Sequence, residues 1–259
     1  MAYRYDEDLE FLRSMQSKDL NALVEILTGK DGDRRLTEEL TANPLYKRFY
    51  PEHIEYVEEV MAELQCYGAN SFITIFRGGK GVLYREILCD VCDKAKVNYN
   101  KKSPVERIEG ELLKKILTQA IEKMDMSELE SIASELESIA KDAKIGTAKG
   151  LTKQGAIAAT QAAVLAGGFG SYQLALIVAN AVAKQVLGRG LSLAANAGLT
   201  RAIGIFAGPI GWAITGLWTA LDIAGAAYRV TTPAVIQVAF LRSLKTQREQ
   251  DKEHAQLYQ

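Results

Sequence analysis

Cysteine, histidine and proline are scarce in this chain of 259 residues, with three, two and five copies. Cys66, Cys89 and Cys92 do not make a disulfide framework and suit a reducing compartment. His53 and His254 leave little material for a catalytic triad or an acid–base relay. The HExxH, GxSxG and Walker patterns are missing as well, so no catalytic residue is assigned and the chain reads as non-enzymatic. The first residues, MAYRYDEDLE, are acidic and lack a basic stretch followed by an apolar one. No secretory signal is read there, and synthesis is expected to end in the cytoplasm.

Charge is the next absence, and it is local. Residues 1–144 hold 21 Lys and Arg against 28 Asp and Glu, whereas residues 145–259 hold 10 against 4, so the formal net charge of −1 conceals two opposite halves. Between Lys149 and Arg248 the only acid is Asp222. A stretch both apolar and cationic is what anionic lipid headgroups attract, each Lys or Arg near such a leaflet contributing about 1 kcal/mol. The cations are widely spaced and lack interleaved aromatics, which argues against nucleic acid as a partner.

Strand-like alternation is also scarce. Nearly every segment instead carries apolar residues three and four apart, so the fold class is all-α. Asp6 and Ser17 are placed to cap DLEFLRSM and KDLNALVEILT, which stop at GKDGD. Pro51 starts PEHIEYVEEVMAELQCY, ended by Gly68. Ser103, Pro104 and Glu106 form a capping box for a helix running to about Met124. Ser127 and Glu130 form another, ahead of the doubled heptad SELESIASELESIA, read as an amphipathic helix packed on its own domain. Thr232 before Pro233 starts a last helix, PAVIQVAFLRSL. From Gly146 charge nearly vanishes, and 14 of the 21 glycines lie from here on. The domains are therefore set at 1–145, acidic and helical, 146–242, apolar and cationic, and 243–259, a polar tail.

A helix needs about twenty apolar residues to span a bilayer. The uncharged runs 154–183 and 202–221 are long enough only if unbroken, and GGFG at 167–170 and the Gly208, Pro209, Gly211 group interrupt them. The expected form is a set of short Ala/Gly-rich hairpins. Ala163, Leu165, Leu176 and Val178 on the first, with Gly204, Gly208, Trp212 and Trp218 on the second, are the residues expected at a membrane or oligomer contact. Gly204 and Gly208 make a GxxxG pair, and the tryptophans suit an interface. Asp222 and Arg229 are seven residues apart and are expected to form a buried charge pair.

Metal and anion motifs are thin. RGGKG at 77–81 has no Ser or Thr after its lysine and reads as a turn. Cys89 and Cys92 with Cys66 and His53, or Glu86 with Asp90 and Asp93, are the nearest approach to a metal set. Buried small residues and a solvated acidic face explain them more simply. No cofactor and no metal is assigned.

Several strings point to a family: DEDLEFL from Asp6 with the LVEILT that follows, RGGKGVLYREILCDVCDKAKV from Arg77, KMD from Lys123, GPIG from Gly208, and AYRVTTPAVIQVAFLR from Ala227 to Arg242. Together they resemble the YaaW family of bacterial proteins, grouped distantly with the ubiquinol–cytochrome c chaperones. The last string is the most specific. The resemblance implies a helical protein that binds another protein near a membrane, and it carries over no catalytic residue.

The sequence is thus read as a non-enzymatic helical protein that associates with or inserts into the cytoplasmic membrane through its C-terminal hairpins, in its strongest form as a pore-forming effector. An anionic membrane surface is the expected partner, with a protein partner or a homo-oligomer beside it. The alternative is a soluble protein-interaction or assembly-chaperone module whose apolar hairpin is internal core. Enclosure or exposure of the segment from Gly155 to Leu187 separates the two.

Overall fold

Apolar residues three and four apart make helices, and each helix must cover its stripe against another. The computed structural model describes residues 3–29, 38–71, 81–125, 127, 152–155, 157–158, 168–191 and 228–257. Among these, seven α-helices follow one another: α1 (Ser17–Thr28), α2 (Pro44–Phe49), α3 (Val57–Ser71), α4 (Tyr84–Lys94), α5 (Val105–Lys123), α6 (Gly168–Leu187) and α7 (Tyr228–Leu257). Short 3₁₀ turns lie at Glu10–Ser14, Leu40–Ala42 and His53–Tyr56. The fold is all-α, with no strand among the described residues.

The centre of the bundle is α7. Every residue from Val230 to Leu241 is buried, so this helix has no face for water and must be surrounded. It packs along α6 and touches α1, α3, α4, α5 and the first 3₁₀ turn. In α6 the whole run from Leu174 to Ala183 is buried too. The Tyr172 ring stacks on Phe240 with centroids 6.1 Å apart. Gln237 Nε2 donates to the Ala179 carbonyl at 2.9 Å, so one buried polar side chain is satisfied in the α6–α7 seam. Buried residues from Leu9 to Leu244 join in one cluster, so described segments on both sides of Gly146 share a core. No helix of the described residues is long and apolar enough to cross a membrane.

Several helix ends differ from their expected places, each for a local reason. α1 is capped by Gln16 in a box with Asp19, and Ser17 is its first residue. The Ser17 hydroxyl instead accepts the amide of Ile54 at 3.2 Å. Asp6 precedes only a 3₁₀ turn, and its carboxylate accepts the amide of Tyr84 at 2.6 Å. The chain enters α3 through the 3₁₀ turn at His53–Tyr56, whereas the sequence places a helix start at Pro51. Gly68 does not end α3. It lies inside that helix because a Cβ there would stand 2.4 Å from Ile87 Cγ1 on α4, so the residue's smallness serves a close crossing. Ser103 does not cap α5, whose N-cap is Pro104 with no side-chain hydrogen bond. Residues 168–170 of the expected break are the first turn of α6. α7 begins at Tyr228, contains Pro233, and runs on to Leu257 through the expected tail. The SELESIA repeat lies outside the described residues, apart from the position of Ser127.

Buried charge ties the layers together at Arg242, where the apolar stretch of α7 ends. Its Nε donates to Glu109 Oε2 of α5 at 2.9 Å, and its Nη2 to the Asp8 carbonyl at 2.6 Å. The guanidinium also lies 4.3 Å from the centre of the Phe11 ring. Tyr84 of α4 donates its hydroxyl to Glu109 Oε1 at 2.7 Å. Burial pushes the Glu109 carboxyl above its ordinary range, with the Arg242 charge and the Tyr84 hydroxyl pulling the other way. A second tie is bidentate, Arg248 to Asp19 of α1 at 2.6 and 2.9 Å.

Loss of one partner of the Arg242–Glu109 pair leaves the other buried without compensation. Arg242→Met should cost about 3–5 kcal/mol of unfolding free energy by urea titration. Adding Glu109→Leu should restore most of it, since the Tyr84 hydroxyl keeps the Val235 carbonyl 3.4 Å away as acceptor. A double variant no more stable than Arg242→Met would show that lost packing sets the cost.

Candidate interaction surface

The segment between Glu38 and Tyr56 anchors in the core through Leu40 and Tyr56 and carries a short outer helix. α2 has no fully buried residue, packs mainly against the neighbouring 3₁₀ turns, and rests on the core through the half-buried Tyr46 and Phe49. It forms because Asn43 accepts the amide of Leu45 at 2.8 Å and Pro44 supplies a preset first turn. Four rings cluster here, Tyr46 of α2 itself with Tyr50, His53 and Tyr56, and the buried His53 and Tyr56 form the base. Tyr46 lies 5.2 Å from Tyr50 and 5.3 Å from Tyr56, and His53 lies 5.8 Å from Tyr50 and 5.6 Å from Tyr56. His53 and Tyr56 are buried, and His53 Nδ1 is hydrogen-bonded to the Tyr56 hydroxyl.

Above this base, the outer face shows apolar surface and positive charge together. Leu45 is 37% and Tyr50 56% exposed, and with Tyr5 they are the exposed large apolar side chains among the described residues. Lys47 and Arg48 are exposed between them, and Arg48 lies 5.0 Å over the Phe49 ring. Neither cation has an acidic partner among the described residues. Burial lowers the proton affinity of His53, despite the nearby Glu52 charge, and raises that of the Tyr56 hydroxyl. Chemically the lobe offers contact area and two cations without an acidic partner among the described residues.

The lobe is mounted on α3 through a carboxyl that the sequence does not advertise. Glu63 is completely buried, and both its oxygens stand 3.4 Å from the amide of Glu39 at the start of the Leu40–Ala42 turn. Burial, together with the Glu38 charge, pushes its pKa up to about 8.

Of the residues expected at a membrane or oligomer contact, Leu176 and Val178 are 1% and 0% exposed and pack within the bundle. Their contacts are intramolecular, because α6 is buried on every side from Leu174 to Ala183 and α7 packs along it. Ala163, Leu165, Gly204, Gly208, Trp212 and Trp218 lie outside the described residues. So does Asp222, and Arg229 is exposed in the first turn of α7. Among the described residues no group of three His, Cys, Asp or Glu side chains is arranged to hold a metal. Asp93 serves Lys101 at 2.9 Å and Tyr99 at 2.8 Å, and burial pushes the Cys92 thiol far up, away from reactivity. Glu63, Glu109 and Arg242 are the polar residues that sequence reading misses. Their signal was position, a charge falling on the apolar side of a helix.

Glu63 makes stability depend on pH with a definite sign. The folded carboxyl keeps its proton to about pH 8, whereas the unfolded one releases it near 4.5. Its contribution is therefore intact below pH 4.5 and lost as pH rises to 8. Glu63→Gln removes this term, so the wild type should lose on the order of a few kcal/mol more than the variant between pH 5 and pH 8.5. Urea titrations at the two pH values measure it, and equal losses in both proteins would refute it.

Comparison with known proteins adds the lineage. The family model described as ubiquinol-cytochrome C chaperone matches residues 52–236, and a domain of unknown function, DUF3944, matches residues 3–36. A UPF0174 protein of Helicobacter pylori J99 is 52% identical over 258 residues, 99% of each chain. A UPF0174 protein of Helicobacter pylori 26695 is 43% identical over 208 residues, 80% of this chain and 97% of its own. The UPF0174 protein YaaW of Escherichia coli K12 is 32% identical over 250 residues, 93% of this chain and 96% of its own. No solved structure matches the chain significantly. Near-full-length identity to these relatives, and a family model spanning most of the chain, show that the protein belongs to the UPF0174 family, the YaaW family its motifs resemble, within the ubiquinol-cytochrome C chaperone group.

Proposed function

We propose that the chain is a non-catalytic assembly-chaperone module that binds another polypeptide, with the α2 lobe as its docking surface. The observation that carries this reading is the match to the ubiquinol-cytochrome C chaperone model over residues 52–236. Enclosure of α6 supports it against membrane insertion, since the described apolar residues expected to meet lipid are already covered. The lobe fits a protein partner. Two exposed apolar side chains supply a contact of the kind that anchors interfaces, and two cations without an acidic partner among the described residues select a segment carrying acids beside its own apolar residues. The client is accordingly a polypeptide with an exposed apolar and acidic segment, held until its own partner takes it.

Two measurements bear on this. Photo-crosslinking in cells from p-benzoylphenylalanine at position 50 should give one adduct with a second polypeptide. That adduct should fall several-fold when Lys47 and Arg48 are changed to Glu and should be missing when the label replaces Lys101. Equal labelling from positions 50 and 101, or no effect of the charge change, would remove the lobe as the docking surface.

The enclosed α6 is tested separately. Val178→Asp places a carboxylate in a site with no partner, which costs several kcal/mol. The variant should unfold or melt far below the wild type. Unchanged melting would mean that Val178 faces out, as a membrane or oligomer contact requires.

A further inference from the structure

Away from the α2 lobe, the loop joining α4 to α5 and the first turns of α5 enclose an open pocket of about 410 Å³. Asn98, Asn100, Ser103, Arg107 and Glu111 line it over the buried Ile108. A volume in the range of small-molecule sites, about 300–1,000 Å³, is larger than a bare ion needs, and the polar lining excludes an apolar ligand.

The wall is already fixed. Arg85 Nη1 donates to the Ser103 carbonyl at 2.7 Å, and the Lys102 amide donates to Asn100 Oδ1 at 2.9 Å. The Ser103 amide donates to the Asn100 carbonyl at 2.9 Å, and Tyr99 is held by Asp93 at 2.8 Å. Against this fixed frame, three side chains that line the pocket are without a partner among the described residues. Among the described residues no hydrogen bond or ion pair engages the Asn98 amide, the Ser103 hydroxyl or the Arg107 guanidinium. The one acid of the lining, Glu111, is neutralised by Lys114 three residues on. What these residues offer is a guanidinium, a hydroxyl and an amide.

We propose that this pocket is a binding site for a small hydrophilic anion whose phosphate or carboxylate group is taken by Arg107. The planar guanidinium offers a fork that matches either oxyanion with two parallel hydrogen bonds. Ser103 and Asn98 complete the donor set, and the open side leaves room for hydroxyl groups on the rest of the ligand. The site is separate from the client-binding lobe, so it adds a small-molecule input to a protein otherwise read as binding a polypeptide.

The test uses the full chain labelled with ¹⁵N, titrated with sodium phosphate and, separately, sodium acetate at constant ionic strength, with sodium chloride as the reference. Saturable amide shifts confined to residues 98–111 are expected, and the anion that saturates at the lower concentration identifies the headgroup. Arg107→Gln should weaken that binding about tenfold or more and Arg107→Lys should restore part of it. Melting temperature should stay unchanged, because Arg107 is exposed and engages no partner among the described residues. Shifts no larger than those with chloride, or shifts that survive Arg107→Gln, would mean an adventitious ion only and overturn the proposal.

Discussion

The architecture depends on a helix that cannot face water. From Val230 to Leu241 α7 is buried on all sides, so the other helices are arranged as they must be to surround it. Burying each Val, Ile, Leu or Phe side chain there contributes about 1.5–3 kcal/mol, a sum no surface interaction in the molecule approaches. α6 covers one side because it is apolar all round, and α1, α3, α4 and α5 cover the others with one stripe each. A helix that is apolar all round can be enclosed by lipid or by protein. Here, among the described residues, protein encloses it.

Where burial stops, charge sets the register. Arg242 follows Leu241 directly and fastens α7 to α5 and to the chain before the first 3₁₀ turn. Arg248 fastens the next turns to α1 through Asp19. These bonds contribute less to stability than the core does, since burying an ion pair costs much of what its attraction returns. Their effect is to forbid alternatives. A slip of α7 by one turn toward its C-terminus would set Val238 and Leu244 against Glu109 and Asp19 in place of the two guanidinium groups, a far worse state than the one observed.

Much of the fold was legible in the sequence. The period of three to four gave the all-α class, and α1, α3, α4 and α5 fall where amphipathic stripes place them. The chain ends of these helices were less legible, because capping competes with tertiary demands. Ser17 and Asp6 carry the chemistry of caps, yet both are used across the fold, by Ile54 and Tyr84. Gly68 carries the signature of a helix end and serves instead as a close-contact point with Ile87. Among site residues, Leu176 and Val178 were rightly singled out as apolar, but periodicity cannot tell a helix wrapped by protein from one wrapped by lipid. The exposed Leu45 and Tyr50 escape notice because an exposed apolar residue leaves no mark in a short segment.

The opposite charges of the two halves take on a different meaning once the contacts are known. Read from composition, the cations after Lys149 are available to an anionic surface. In the structure three of them are engaged by acids of the other half: Arg189 by Glu25, Arg242 by Glu109 and Arg248 by Asp19. The Arg189 pair is largely exposed and contributes at most about 1 kcal/mol, whereas the other two involve buried carboxylates that tolerate no vacancy. This pairing withdraws those guanidinium groups from any lipid headgroup. Three of the ten cations that composition sets facing outward are thus, among the described residues, partners of acids within the same fold.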